Sequence, residues 1–350
     1  MDALRYDWVC LSLPRGAGAI SVRLMLSPNF VSPLLLAVLI CAAGLSMLAG
    51  DAPISARELS HWLVGSGAAM PDMILTEIRA PRITLAAFSG FVLGLAGAAV
   101  QAFLRNPLAE PSLLGASNCA ALGAVIVIYL GFSGTLSFGV PVAACIAALI
   151  SVLLLLAFAG RGVSSLRLIL AGFAVSALAG AGISLVLNLA PNAFAALEIA
   201  FWLLGGVENR NWNHVYLALP GGVLGCLLLL WRARALDALV LEEDVARSLG
   251  VNLNAMRLRV ALGLALGVGS VVAVTGVIGF VGLVAPHLVR PFTGHLPSRS
   301  LVAAGLLGAV ILVLADGFIR MVPTQTELKM GVVTAFLGVP MLLYLIRRTV

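Results

Sequence analysis

Charge is scarce in this sequence. Only 10% of its 350 residues are Asp, Glu, Lys or Arg, where a soluble domain carries about 25%. Lysine is nearly missing: Lys329 is the single one, and it stands in "TELKMG". A nucleotide-binding P-loop needs a lysine behind a G-x-x-x-x-G frame, so this chain is not its own ATPase by that route. Cysteine is sparse too. Cys10, Cys41, Cys119, Cys145 and Cys226 show no paired spacing, which argues against a disulfide framework or a zinc site. The last four lie in apolar runs and read as small hydrophobes. Catalytic signatures are also missing. There is no G-x-S-x-G, no H-E-x-x-H and no intramembrane aspartate pair, and none of His61, His214, His287 and His295 sits mid-span beside a serine or cysteine nucleophile at a recognisable spacing. The chain reads as a non-enzyme with no catalytic residue, metal or cofactor of its own.

What is present is apolar. Hydrophobic residues make up 61% of the chain and mean hydropathy is +1.10. Runs of about 17 to 25 apolar residues recur from end to end, the signature of membrane-spanning helices. The period-two alternation of a membrane β-barrel is missing. The expected fold is therefore an all-α polytopic membrane protein. Ten spans are predicted, at roughly 33–50, 84–104, 112–130, 138–159, 166–189, 214–231, 258–275, 278–290, 300–317 and 331–346. The seventh and eighth share one stretch broken at Thr275-Gly276. The eighth is short for a full span, which suggests a partial or tilted helix, tolerable only if its ends are buried in protein or line a cavity.

The placement of basic residues tests this topology. With the N-terminus inside, fifteen of the 21 basic residues fall inside, and only Arg57, Arg79, Arg82, Arg210, Arg320 and Lys329 fall outside. Both termini are then cytoplasmic. The organisation expected is a cytoplasmic segment 1–32 and a transmembrane domain 33–350. That domain has a cytoplasmic loop at about 232–257 and outer segments at about 51–83, 190–213 and 318–330. The first apolar run could imitate a signal peptide, but the many spans after it favour an uncleaved helix. Residues 190–213 hold an apolar run too short to span, expected as a short helix at the outer face.

The middles of the predicted spans carry no Asp, Glu, Lys or Arg; Gln101 and Arg105 sit near an inner end and Asp316 near an outer one. Carriers driven by proton or sodium gradients usually need such groups at the midplane. Span five instead repeats Gly172, Ser176, Gly180, Ser184 and Asn188 every four residues, along one helix face. Such a face either packs closely on another helix or forms a smooth, weakly polar pathway wall.

One polar stretch interrupts the apolar pattern, "LEEDVARSLGVN" from Leu241 to Asn252. It reads as a short helix in the cytoplasmic loop. Glu243 and Asp244 lie at its start, where the helix dipole favours anions. Gly250 is suited to end it in the left-handed conformation. Ala246 and Leu249 are expected on a common face. The simplest alternative is a solvated amphipathic loop helix.

Four further stretches fall into one pattern: "RAPR" (79–82), "QAFLRNPLAEPSLLGAS" (101–117), "GVIGFVGLVAPHLVR" (276–290) and "ADGFIRMVPTQTELKMGVVTAFLGVPMLLYL" (315–345). In this order they resemble the FecCD-type permease subunits of type II ABC importers, which take up iron–siderophore complexes, haem and cobalamin. The resemblance runs from about residue 33 to the C-terminus. It implies a homodimer in the bacterial inner membrane, two cytoplasmic ATPase subunits that hold ATP and Mg, and a periplasmic substrate-binding protein. Lipid surrounds the spans, and no nucleic acid is expected. It also implies site residues. Glu243, Asp244, Ala246, Arg247, Leu249 and Gly250 would couple to the ATPase. Arg79, Arg82 and Arg320 would dock the binding protein, with local pairing to Asp72, Glu77 or Asp316 as the competing role. Gln101, Asn106, Pro107, Trp202, Gly205, Pro286, His287, Arg290, Glu327 and Gly331 match further family motifs, with His287 structural. Four features depart from the pattern: Cys119 for glycine, Lys329 for proline, Glu242 for glycine, and "GHLPSR" (294–299) for the more usual Asp-His-Arg. The function expected is inward movement of a metal chelate, with ferric siderophore ahead of haem and cobalamin. The competing class is an ion-coupled secondary transporter.

Overall fold

The computed structural model describes residues 28–349 except 51, 133–137, 160–164, 242 and 323–327. The described residues are helical throughout, with no strand among them. The helices are α1 (Pro28–Leu48), α2 (Ala56–Leu63), α3 (Ala69–Met73), α4 (Ala80–Leu104), α5 (Ala116–Tyr129), α6 (Gly139–Ala159), α7 (Ser165–Asn188) and α8 (Ala193–Leu203). They continue with α9 (Trp212–Leu230), α10 (Arg234–Ala238), α11 (Glu243–Ser248), α12 (Leu253–Thr275), α13 (Val281–Val289), α14 (Pro297–Met321) and α15 (Met330–Thr349). A helix overlaps each of the ten predicted spans, and α8 is the short helix expected within 190–213. Six stretches among the described residues are long and apolar enough to cross a membrane. One of them runs from Ala69 to Leu104. It contains a π turn, Ile74–Arg79, just before Pro81. Proline has no N–H to give the preceding turn, so a widened turn there forfeits little.

Burial is uneven. Helices α4 and α12 are mostly buried and form the centre, while α1 and α7 expose most of their surface. Two lipid-like surfaces gain nothing hydrophobic by meeting in a membrane, so tight packing must come from backbone proximity. Small residues supply it. A side chain on Gly90 would overlap the Gly308 carbonyl, and one on Gly94 the Ala304 carbonyl, where α4 crosses α14. Gly225 meets Gly267 in the same way between α9 and α12. Gly90→Val is expected to force α4 and α14 apart, cost roughly the 1–3 kcal/mol of an overpacked core or more, and so lower the thermal midpoint in detergent. An unchanged midpoint would remove this account of the seam.

The break between α12 and α13 falls where the sequence indicates. Gly276 (φ 68°) ends α12, and α13 spans only nine residues, about half of what a bilayer core requires. Its ends are buried in protein rather than exposed. Gly282 lies against Pro111 and the backbone of α4, and Gly206 N–H donates to the Thr275 carbonyl at 2.7 Å.

Candidate functional site

At one end of the bundle, Arg79, Arg82 and Arg320 come together from α4's approach, α4 and α14. Arg82 Nε donates to Asp316 Oδ1 at 2.7 Å, and Arg320 Nη2 lies 2.9 Å from Asp316 Oδ2. Asp316 is fully buried. Arg79 donates to the Met47 and Ala52 carbonyls, and Arg320 to the Ala49 carbonyl and Ser46 Oγ. The last carbonyls of α1 thus receive guanidinium donors, which suits the negative end of a helix. The local pairing weighed for these arginines is therefore present for Arg82 and Arg320 through Asp316, while Arg79 is held by backbone carbonyls. Arg79 and Arg82 keep less than a tenth of their surface exposed.

The opposite end assembles the motif of α4 with that of α13. Gln101 is buried; its Nε2 lies 3.4 and 3.3 Å from the Gly282 and Leu283 carbonyls, and its Oε1 accepts from Arg290 at 3.1 Å. Pro286, in α13, and Arg290 line a cleft of about 240 Å³ with Gln101, Arg105 and Pro107. His287 occupies the last turn of α13, where a basic group suits the helix end. Asn106 Oδ1 accepts the Leu108 N–H at 2.9 Å, an Asx turn that redirects the chain beside Pro107. The chain then returns into the bundle. Glu110 accepts the Phe280 N–H at 2.7 Å, at the start of α13. Burial raises its pKa against the lowering effect of the Phe280 and Ser112 hydrogen bonds. So a carboxylate does enter the bundle, although the spans themselves carry none at mid-length. It arrives on a connection between helices, and no periodicity marks it.

The polar stretch folds as α10, a 3₁₀ turn (Leu239–Leu241) and α11. Gly250 (φ 81°) closes α11, with its N–H on Arg247 O and Val251 N–H on Ala246 O. That is the left-handed termination expected. The expected common face of Ala246 and Leu249 is not formed. Ala246 is fully buried against the bundle and Leu249 is 64% exposed. Leu249 N–H still donates to the Val245 carbonyl at 3.0 Å, and its side chain stands exposed on the last turn. Asp244 and Arg247 are exposed and pair with each other at 3.2 Å. Sequence reasoning missed an apolar patch here: Val240, Leu241, Val245 and Leu249 are all exposed on this loop.

The comparisons with known proteins agree with this arrangement. The model of the FecCD transport family matches residues 35–348. The chain belongs to the FecCD transport family. An ABC transporter permease of Bacillus subtilis, YvrB, is 40% identical over 81% of this chain and 82% of its own length. The Fe(3+)-citrate import system permease YfmE of the same organism is 36% identical over 79% of this chain and 82% of its own. The vitamin B12 import system permease BtuC of Salmonella paratyphi A is 35% identical over 89% of this chain and 93% of its own. A solved structure of a metal-chelate type ABC transporter in an inward-facing conformation superposes with a TM-score of 0.83 at 28% identity, covering 91% of this chain and 99% of that one. This FecCD protein is accordingly a multi-pass permease of the inner membrane.

The remaining motif positions and departures have visible surroundings. Gly331 N–H donates to the Leu204 carbonyl at 3.1 Å, and Gly205 (φ 64°) packs on Val277. Trp202 is half-buried beside them, where its carbonyl faces Gly276. One knot thus joins α8, the α12–α13 break and α15. Lys329 pairs with Glu208 and lies 5.3 Å from the Phe201 ring centre. It therefore ties the start of α15 to the segment after α8. Because this pair keeps some solvent contact, Lys329→Ala should cost no more than about 1 kcal/mol. A midpoint loss several times larger would show that the pair holds more than these two segments. Cys119 is buried with Val175 and Ala179 in the seam between α5 and α7. The small-residue face of α7 divides. Gly172 and Ser176 pack on residues 112–114, Gly180 borders open space, and Ser184 and Asn188 are exposed. Glu242 and Glu327 lie outside the described residues.

Proposed function

We propose that this chain is the membrane-spanning half of an importer that carries a metal chelate, with ferric siderophore the first candidate cargo, from periplasm to cytoplasm. The observation that carries the reading is the match over nearly the whole chain to permeases whose names specify ferric citrate and vitamin B12 import. Energy then comes from outside the chain. A pair of separate ATPase subunits holds ATP and Mg, and the loop of α10 and α11 is their seat. Exposed Val240, Leu241, Val245 and Leu249, beside the charged Asp244 and Arg247, supply an apolar contact with a polar rim.

Two copies of the chain would form the pathway between them. Helices α7 and α15 leave apolar faces open, with Phe173, Leu178 and Leu185 on one and Phe336, Leu337 and Leu343 on the other. An apolar cleft of about 640 Å³ opens among Leu203, Val277, Phe280, Phe336 and Pro340. A periplasmic binding protein would seat on the end that carries Arg79, Arg82 and Arg320. In that role the arginines frame the docking surface from beneath, holding the ends of α1, α4 and α14 in register. They meet the partner directly only if it draws them outward.

The test is reconstitution in vesicles with a cognate ATPase and binding protein. Uptake of ferric siderophore should require all three proteins and ATP. Uptake without ATP, or driven by an ion gradient, would overturn the reading.

A further inference from the structure

We infer that Glu110 is a positioning residue for transport: a latch between the 105–115 connection and the start of α13. The inference rests on the permease reading above. Glu110 is placed by Pro111, which begins a 3₁₀ turn and directs the chain back into the bundle. Its carboxylate meets the first turn of a nine-residue helix and accepts the Phe280 N–H at 2.7 Å. A charged acceptor at a helix start is a favourable placement.

The residue it holds is under strain. Phe280 has φ 67°, in the left-handed region, without being glycine. A bulky residue is seldom found there, and it persists only where its surroundings enforce it. Glu110 supplies one such constraint, and α15 supplies another. The Phe280 side chain lies directly against Gly338, where even a Cβ would overlap it.

The same connection is gripped from its other side. Ser176 Oγ of α7 donates to the Ser112 carbonyl at 2.9 Å, and Gly172 lies against Leu113 and Leu114. Hence α7 and α15, both of which have open apolar faces, are linked through one turn, one carboxylate and one strained residue. Sliding the connection along α13 moves both helices, and the Glu110–Phe280 bond decides whether that slide can start. A single hydrogen bond on a strained residue can be made and broken in each cycle, which a packed apolar seam cannot.

Two readouts test this. On the purified chain alone, amide hydrogen exchange over 280–284 should lose about 10- to 100-fold protection in Glu110→Ala. Glu110→Gln, which can still accept the N–H, should keep most of it. In vesicles with ATPase and binding protein, Glu110→Ala should transport several-fold less cargo per ATP hydrolysed, and Glu110→Gln should lie near wild type. A merely structural role would lower the amount of folded complex and leave cargo per ATP unchanged, and that result overturns the latch. Unchanged exchange at Phe280 in Glu110→Ala overturns it as well. If the wild-type assembly shows no ATP-dependent uptake, the permease reading fails, and the exchange measurement still decides whether Glu110 holds α13.

Discussion

Asp316→Ala should cost about 3–5 kcal/mol of stability, the usual loss when one member of a buried ion cluster is removed. Asp316 is fully buried and faces both Arg82 and Arg320, each less than a tenth exposed at the side chain. Without it the two guanidinium groups lose the carboxylate that both face in a low-dielectric site, where like charges at close range repel strongly. Arg79 adds to the crowding, since it is close enough to feel the charge of Arg320. The ends of α1, α4 and α14 should loosen together, because Arg79 and Arg320 also hold the carbonyls that close α1. The expected result is a fall of roughly 5–10 °C in the thermal midpoint of the detergent-solubilised protein. Asp316→Asn should fall between, because it keeps the shape and an acceptor but not the charge. A midpoint within a degree of wild type for Asp316→Ala would show that the cluster reaches water and is not a clamp.

The second large effect is expected at the α10–α11 loop, the proposed seat of the ATPase. Replacing Val245 and Leu249 together by glutamate should abolish co-purification of the ATPase while the permease itself folds normally. Both side chains are exposed, so little folding energy is at stake. In an apolar contact, each introduced carboxylate would have to lose its water without gaining a partner. Central apolar anchors commonly contribute 2 kcal/mol or more each, so the pair should weaken binding by about 100-fold or more. Ala246→Glu separates the two kinds of site. Its side chain points into the bundle, so it should lower the thermal midpoint of the permease alone, which the exposed pair should not. If the double variant retained ATPase binding and transport, the contact would lie elsewhere on this end of the protein.

Much of the architecture was legible before folding was considered. The lengths of the apolar runs marked each main helix, because a bilayer core requires about 20 apolar residues and turns inside it are forbidden. The Gly276 break and the short α13 were visible for the same reason. The motifs led to the family because they recur in one order along the chain. Side-chain partnerships were a different matter. Arg82 and Asp316 are 234 positions apart, Glu110 and Phe280 are 170 apart, and no local pattern connects either pair.

The sequence by itself determined that this chain is a bundle of membrane helices with a polar loop set apart from them. Hydropathy is a sum over neighbours along the chain, and residue order alone is enough to compute it. Only the tertiary structure decided which way individual side chains face. It buried Ala246 and left Leu249 exposed, drew Arg82 and Arg320 onto Asp316, and carried Glu110 back into the bundle. Each of these depends on distances between segments remote in sequence, and those distances exist only once the helices have packed.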